Sequence, residues 1–353
     1  MEKQCVGIDI SKANFSATVC CRSASDELNY SETRKFNNDK KGFNQLTKWV
    51  TKERSKSSSL SFLMEATGVY HENLAHHLHR IGKTVHLILP NTSKNYFRSL
   101  NIKTKTDDVD SRILAQFGVE RTHRKWQPPN KIYKEMRDLS RYRIQLQEQK
   151  TALANIAHSK EFSHDLATEI TKSNKKLIKI IDKEIASIKS RLEALVASDQ
   201  HLSERIRKIC SIKGLAIQTV AGLIAETNGF ENFRNGKQLA SFAGYDIVHH
   251  ESGKSVKGKT RISKKGNRYI RHLMYYPAMS ASRHVPEFKN LRDRVFERTF
   301  IPMKAQCAVQ RKLLILVYTL WKYETEYEPD YYTKKIARTK FRATQDKPTK
   351  SFP

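Results

Sequence analysis

Four carboxylates in this chain occupy positions typical of metal-dependent phosphoryl transfer. Asp9 and Glu65 each follow a short apolar segment, and Asp107 and Asp110 begin a stretch with helical spacing. Carboxylate oxygens are ligands that Mg²⁺ prefers in proteins. Enzymes that displace phosphate esters with two metal ions hold the ions among several such groups. The residue types and their placement therefore predict a magnesium site formed by Asp9, Glu65, Asp107 and Asp110.

Each carboxylate also has a simpler interpretation. Asp107, Asp108 and Asp110 could serve only to stabilise the start of a helix, where the backbone dipole favours negative charge. Asp9 and Glu65 could be ordinary polar residues at strand ends. Asp107 and Asp110 are three residues apart, so they share one helix face. The occurrence of all four residues in this order favours the metal site.

The charge of the chain predicts a polyanionic partner. Its 353 residues include 65 Lys and Arg against 36 Asp and Glu, a formal net charge of +29. Such a balance favours nucleic acid, with an anionic membrane surface as the alternative. Carboxylates gathered in so basic a protein would repel a polyanion unless they hold metal ions. The combination predicts an enzyme that cuts nucleic-acid strands.

The cysteines and the chain start predict a cytoplasmic protein. The five cysteines are scattered and include no Cys-x-x-Cys pair, so they fit neither a disulfide framework nor a zinc site. The first residues lack a signal-peptide pattern, and no apolar run is long enough to span a bilayer. We therefore expect reduced thiols and no membrane partner.

The N-terminal third has the pattern of a mixed α/β sheet. Alternating apolar residues at 4–21 around a turn at Ser11–Asn14 predict a hairpin. Further strands and helices then alternate, which favours an α/β domain. We expect strands at 34–36, 60–64 and 85–89, and helices at 40–52, 70–81 and from Asp107 onward. Gln127–Asn130 contains two prolines and marks a linker, which gives an N-terminal domain of residues 1–128.

Residues 131–200 contain no Gly and no Pro, which predicts long helices. Apolar residues in the second half follow the alternating three- and four-residue steps of a coiled-coil seam. They are Ile178, Ile181, Ile185, Ile188, Leu192 and Leu195. We expect a helical coiled-coil segment over 129–200. It could pair within one chain or between two chains.

The remaining chain predicts a mainly helical domain at 201–330 and a basic flexible tail at 331–353. Ser252 precedes a run with eight basic residues and no acid, which suits binding to a nucleic-acid backbone. By itself a serine between Glu251 and Gly253 is more often a turn residue. The predicted nucleic-acid contacts are Lys254, Lys257, Lys259, Arg261, Lys264, Lys265, Arg268 and Arg271.

Two sets of motifs resemble one known family. Gly7-Ile8-Asp9, Glu65-Ala66-Thr67-Gly68 and Lys105-Thr106-Asp107-x-x-Asp110 are similar to the signature of the DEDD transposases. These are the recombinases of insertion-sequence family 110 and the Piv-type DNA invertases. The second set resembles the C-terminal domain of the same family and comprises Phe242–Tyr245, Glu251-Ser252-Gly253 and Ile262–Asn267. The resemblance covers roughly residues 4–325.

The resemblance implies a fold and a mechanism. The N-terminal domain would have the RNase H-like fold of Holliday-junction resolvases, with Asp9, Glu65, Asp107 and Asp110 as catalytic residues that hold Mg²⁺, expected as two ions. Ser252 would attack the DNA backbone and form a covalent phosphoserine link. Implied partners are DNA, as element ends and target, a structured guide RNA, and further copies of the chain in a dimer or tetramer. The implied location is a prokaryotic cytoplasm, with activity at the nucleoid.

One segment departs from the family pattern, and two other functions stay open. Lys213-Gly214-Leu215-Ala216 stands where the family commonly has a turn with two glycines. One alternative is a metal-dependent junction resolvase that hydrolyses DNA with water. The other is a non-catalytic nucleic-acid-binding protein, for which Mg²⁺ would make no difference.

Overall fold

The computed structural model divides the chain into two compact units, residues 1–128 and 129–353. It describes residues 3–53, 59–66, 68–104, 106–162, 168–248, 251–252, 256–258 and 260–329. The predicted tail at 331–353 lies outside the described residues. Each unit has its own core of buried apolar side chains.

The first unit is built on one mixed sheet. The strands run in the order β3-β2-β1-β5-β6, and β4 pairs with β2. Neighbours β1 and β2 are antiparallel, whereas β1, β5 and β6 are parallel. The strands are β1 (Lys3–Ile10), β2 (Asn14–Arg22), β3 (Leu28–Tyr30), β4 (Arg34–Asn37), β5 (Ser59–Glu65) and β6 (Thr84–Ile88). The predicted mixed α/β sheet is confirmed, and β3 is a strand that the sequence pattern did not indicate.

Helices cover both faces of this sheet. The helices are α1 (Lys40–Glu53), α2 (Glu72–Arg80), α3 (Pro90–Ser99) and α4 (Asp107–Glu120). On one face Val6 and Ile8 pack with side chains of α1 and α2. On the other face Cys5 and Leu63 pack with side chains of α3 and α4. Helix α3 was not predicted, because Pro90 reads as a strand stop although it also suits the first position of a helix.

Helix α4 lies directly on β1 because Gly7 has no side chain. A Cβ atom at Gly7 would collide with the backbone of Ser111 and Ala115. Further along the helix, Gly118 lies over Cys5. The helix therefore runs antiparallel to β1, and its first turn lies at the carboxyl end of that strand.

The second unit begins with two long helices, α5 (Lys131–Glu161) and α6 (Thr168–Ala197). They run antiparallel and contact each other within one chain, as the ion pairs Glu135–Arg191 and Lys150–Asp182 show. The predicted apolar seam of α6 is buried at its C-terminal end, from Ile185 to Leu195. The absence of Gly and Pro predicted long helices over this stretch, and the structure has two of them, α5 and α6.

The rest of the second unit is mainly helical and shares one core with α5 and α6. Its helices are α7 (Gln200–Cys210), α8 (Ile217–Thr227), α9 (Gly236–Phe242), α10 (Arg268–His284), α11 (Pro286–Thr299) and α12 (Pro302–Tyr323). The described residues between α9 and α10 include the short strands β7 (Ile247–Val248), β8 (Glu251–Ser252), β9 (Val256–Lys257) and β10 (Arg261–Ile262). None of the helices in the described ranges is both long enough and apolar enough to cross a bilayer.

Candidate active site

Asp9 and Glu65 lie side by side at one edge of the sheet. Parallel pairing aligns Ile8 with Met64, so the next residues, Asp9 and Glu65, stand at the same level. Successive side chains of a strand point to opposite faces. Gly7 lies against α4, so Asp9 is on the α4 face as well. Leu63 packs in the α4 core, and this places Glu65 on the same face.

Asp107 and Asp110 reach this edge from the first turn of α4. The Thr106 hydroxyl accepts a hydrogen bond from the Val109 amide and fixes the helix start. Asp107 is one turn before Ser111, which lies over Gly7. Asp110 is half-buried, whereas Asp107 is exposed. The fold therefore brings all four predicted carboxylates to one face at one edge of the sheet.

The carboxylates share this edge without converging on a single point. Within the described part of the chain, no three His, Cys, Asp or Glu side chains form a group that could enclose a metal ion. The donor chemistry nevertheless fits Mg²⁺, because four carboxylates supply hard oxygen ligands.

A second polar row crosses the sheet beside the carboxylates. Asp9 pairs with Ser16 across β1 and β2, and Ser16 pairs with Lys35 across β2 and β4. The Lys35 ammonium is 3.7 Å from a carboxylate oxygen of Asp107. The Ser16 hydroxyl is buried and has no hydrogen-bond partner among the residues that the structure describes. Such an unsatisfied oxygen beside carboxylates suits a site that takes a hydrated cation.

Glu65 is held by a residue that the sequence did not reveal. The Ser93 hydroxyl donates a hydrogen bond to Oε2 of Glu65 at 2.5 Å. Ser93 is 1% exposed and lies in the first turn of α3, the helix that begins at Pro90. This contact fixes the orientation of the Glu65 carboxylate at the edge of the sheet. Residues that orient a metal ligand in this way affect metal affinity strongly.

We expect Ser93→Ala to raise the Mg²⁺ concentration needed for half-maximal activity about tenfold, because Glu65 loses its orienting hydrogen bond. The measurement is a Mg²⁺ titration of strand cleavage. Ser99→Ala is the matched control, since the Ser99 hydroxyl donates to the carbonyl of Tyr96 in the same helix and to no other group among the described residues. Equal Mg²⁺ dependence in both variants would contradict this orienting role.

Ser252 lies in a hairpin arm between α9 and α10. Strands β7 and β10 pair at the base of the arm, and β8 pairs with β9 further out. Within the outer pair the Ser252 backbone is opposite Val256. Lys254 and Lys259 fall outside the described residues, and Lys257 is placed in β9 by its backbone.

The base of the arm is fixed by the two motifs that flank it. The Ser263 amide and hydroxyl donate to the backbone and side chain of Asp246, at 2.8 and 2.5 Å. The backbone N–H of Asn267 donates to the carbonyl of Phe242. A Cβ atom at Gly266 would collide with the same carbonyl, so the two loops are in direct backbone contact. The residues that define the second motif set thus fasten the arm to the helical core.

Four of the five remaining basic residues of the predicted run are alike in exposure, and Arg271 differs from them. Lys264, Lys265, Arg261 and Arg268 are exposed. Arg271 is half-buried and donates to the carbonyls of Ala243 and Asn267. Its observed contacts are thus within the loops at the base of the arm.

A buried carboxylate anchors the same loops. Glu226 has a side chain that is 1% exposed, and it accepts two hydrogen bonds from Arg141 at 2.6 and 2.8 Å. The side-chain amide of Asn267 donates from Nδ2 to the same carboxylate at 2.6 Å. The side-chain oxygen of Asn267 in turn caps α10 by accepting from Tyr269 and Ile270. Glu226 is the only acid in the apolar helix α8, and that isolation was a signal of a buried pair.

We expect Glu226→Ala to reduce the free energy of unfolding by about 3–5 kcal/mol, because Arg141 would keep a partly buried charge without its partner. Chemical denaturation of the full chain measures the change. Glu231→Ala removes an exposed carboxylate just after the same helix, and we expect it to change stability by less than about 0.5 kcal/mol. Similar values for the two variants would show that the buried pair does not stabilise the base of the arm.

Comparison with known proteins places this chain among the transposases. A family model described as "Transposase", for DEDD transposases of the IS110 type, matches residues 6–160, which contain the four carboxylates. A second, described as "Transposase IS116/IS110/IS902 family", matches residues 206–292, which contain the arm. The chain belongs to the IS110 family of transposases.

The curated relatives agree with this assignment. The pilin gene-inverting proteins of Moraxella bovis and Moraxella lacunata are each 26% identical over 91% of this chain and 96% of theirs. The transposase for insertion sequence element IS1111A of Coxiella burnetii is 25% identical over 66% of this chain and 68% of its own. An alignment with a solved Ppx/GppA structure from Aquifex aeolicus spans 92% of each chain at 10% identity. Its TM-score of 0.22 is too low to indicate a shared fold.

Proposed function

We propose that the chain cuts and rejoins DNA strands of a mobile element by Mg²⁺-dependent phosphoryl transfer to a serine. The observation that carries this proposal is the placement of Asp9, Glu65, Asp107 and Asp110 on one face at one edge of the sheet. The mixed strand order, with helices on both faces, supports an RNase H-like fold for the first unit.

Each carboxylate has a position suited to holding a cation. Asp9 and Glu65 would bind it from the strand ends, and Asp107 and Asp110 from the start of α4. Ser93 orients Glu65, and Lys35 offsets part of the charge at Asp107. Bound Mg²⁺ supplies Lewis-acid stabilisation of charge that develops on a phosphate.

Ser252 is the proposed nucleophile. Its hydroxyl loses a proton, and Oγ forms a bond to phosphorus while the bond from phosphorus to the leaving sugar oxygen breaks. The leaving oxygen takes up a proton and becomes a free hydroxyl. One phosphate ester has replaced another, so a DNA hydroxyl can reverse the step without an external energy source. Lys254, Lys257, Lys259, Arg261, Lys264, Lys265, Arg268 and Arg271 are the proposed backbone contacts of the DNA.

Guidance by a structured RNA and assembly as a dimer or tetramer are features of the proposal that come from the family resemblance. A coiled-coil role for residues 129–200 comes from the apolar spacing of that segment, and action in the cytoplasm from the scattered cysteines. RNA guidance agrees with a basic protein in which base pairing supplies the specificity and the protein reads backbone shape. The proposed four-part division is 1–128, 129–200, 201–330 and 331–353.

The test is to incubate the full chain with DNA of its element, the RNA from the non-coding flank, and Mg²⁺. We expect a covalent protein–DNA species whose attachment maps to Ser252 by peptide analysis. Cleavage without any covalent species would favour a resolvase that uses water. Binding without cleavage at every Mg²⁺ concentration would favour a non-catalytic protein.

A further inference from the structure

A large groove lies between α11 and α12, next to the base of the arm. Its volume is about 1290 Å³, above the range typical of small-molecule sites. Apolar side chains form its inner surface, among them Leu291 and Val295 from α11 and Ile315 and Leu316 from α12. Both the size and the open shape suit a segment of a polymer.

Cationic side chains line the same groove. Arg261 and Lys264 contribute from the arm side, and Arg298, Lys304 and Arg311 from the two helices. None of these five forms an ion pair with another residue in the described ranges. Lys312 also lines the groove and pairs with Glu287. Six cations and three acids, Glu287, Glu326 and Glu328, thus line the groove. This excess of positive charge around an apolar surface fits a polyanion that has apolar faces of its own.

The groove is continuous with the arm that carries Ser252. Ile247 of β7 and Arg261 and Ile262 of β10 form part of its lining. These strands pair at the base of the arm. A strand attached to the arm could therefore pass directly into the groove.

We propose that this groove binds unpaired nucleotides of the DNA strand that Ser252 attacks. Phosphates would contact the five cations, and bases would lie on the apolar wall and on Tyr323, which is 66% exposed at the end of α12. This combination of basic residues and stacking surfaces is how proteins bind single strands without sequence preference. The inference rests on the proposed serine mechanism and adds the path of the substrate strand.

Charge argues against two other occupants. The C-terminal segment 330–353 follows directly on residues that line the groove, and it contains seven Lys or Arg and two Asp. Those basic residues would be repelled by the five cations. A second copy of the chain, with 65 Lys and Arg against 36 Asp and Glu, would also meet the five cations mainly with basic residues, so the proposed dimer or tetramer is expected to form through other surfaces.

The first test measures binding of a short poly(dT) oligonucleotide over a range of salt concentrations. In Arg298→Ala/Arg311→Ala we expect the slope of log affinity against log salt to fall by about 1.4, at about 0.7 for each lost phosphate contact. Arg283→Ala/Arg294→Ala removes two exposed arginines outside the groove and is the matched control. Equal slopes in the two double variants would overturn the proposal.

The second test locates the strand. An oligonucleotide that contains iodouracil should crosslink to the α12 segment around Tyr323. Tyr323→Ala should weaken binding about tenfold through lost stacking. Crosslinks confined to other segments, or a preference for the RNA version of the oligonucleotide, would overturn the proposal. So would a large gain in oligonucleotide affinity on removal of residues 330–353, because that gain would show that the tail occupies the groove.

Failure of the groove can be told apart from failure of the serine mechanism. If DNA becomes attached to Ser252 but the groove variants bind the oligonucleotide as well as the unsubstituted protein does, only the proposed strand path is overturned. Absence of any covalent species, with crosslinks still at Tyr323, would overturn the mechanism and leave a single-strand binding groove.

Discussion

Replacement of Asp9 by alanine should reduce strand cleavage by roughly a hundred- to a thousandfold or more, the scale expected when one group that stabilises developing charge is lost. Asp9 lies at the carboxyl end of β1, between Glu65 on one neighbouring strand and Ser16 on the other. It also faces the first turn of α4. Asp9 is thus adjacent to both neighbouring strands and to the helix start, so its loss should disrupt the cation site.

Binding of nucleic acid should survive the Asp9 substitution, because affinity comes mainly from cations that contact phosphates. Removal of a negative charge should strengthen binding slightly if it changes it at all. The measurement pairs a cleavage assay with a binding titration on the same preparation. Asp108→Ala is the matched control, since Asp108 is exposed in the first turn of α4 between two proposed ligands. Full cleavage by the Asp9 variant, or equal loss in both, would contradict the proposed site.

The sequence predicted the positions of the carboxylates but not their supports. Alternating apolar residues placed Asp9 and Glu65 at strand ends, and local spacing placed Asp107 at a helix start. The contact between Ser93 and Glu65 joins residues 28 positions apart, and no periodic pattern encodes such a contact. Helix α3, which carries Ser93, was hidden because Pro90 is compatible with both a strand end and a helix start.

The close backbone contacts at Gly7 and Gly266 could not be predicted from the sequence either. Gly7 belongs to a motif recognised by resemblance, yet its physical role is to let the backbone of α4 approach β1. In the same way, Gly266 lets the two loops at the base of the arm touch. Such requirements arise between segments distant in sequence, so they emerge only from the folded chain. Glu226 differs, because an acid within an apolar helix could have indicated a buried partner from the sequence alone.

Replacement of Ser252 by alanine should abolish recombination and remove the covalent protein–DNA species. Loss of a nucleophile lowers catalysis by several orders of magnitude in enzymes where this has been measured. Ser252 is in the outer strand pair of an arm whose base is fixed by Asp246, Ser263 and Asn267. The substitution leaves those contacts intact, so the free energy of unfolding should change by less than about 0.5 kcal/mol.

DNA binding, DNA cleavage and covalent attachment, each measured on the Ser252 variant, separate the possible mechanisms. Ser241→Ala, which removes an exposed hydroxyl in α9 of the same unit, is the control for general effects of serine loss. If the Ser252 variant still cleaves DNA with Mg²⁺ and yields free ends, water is the nucleophile and the carboxylates act alone. If it binds DNA but neither cleaves nor forms a covalent species, the serine is required for the first chemical step.

Since the carboxylates and the serine lie in different units of the chain, loss of activity in both Asp9→Ala and Ser252→Ala would mean that one reaction needs groups from both units. The two inactive variants can then be mixed. Recovered activity would show that Asp9 and Ser252 act from different chains, because neither variant has both residues.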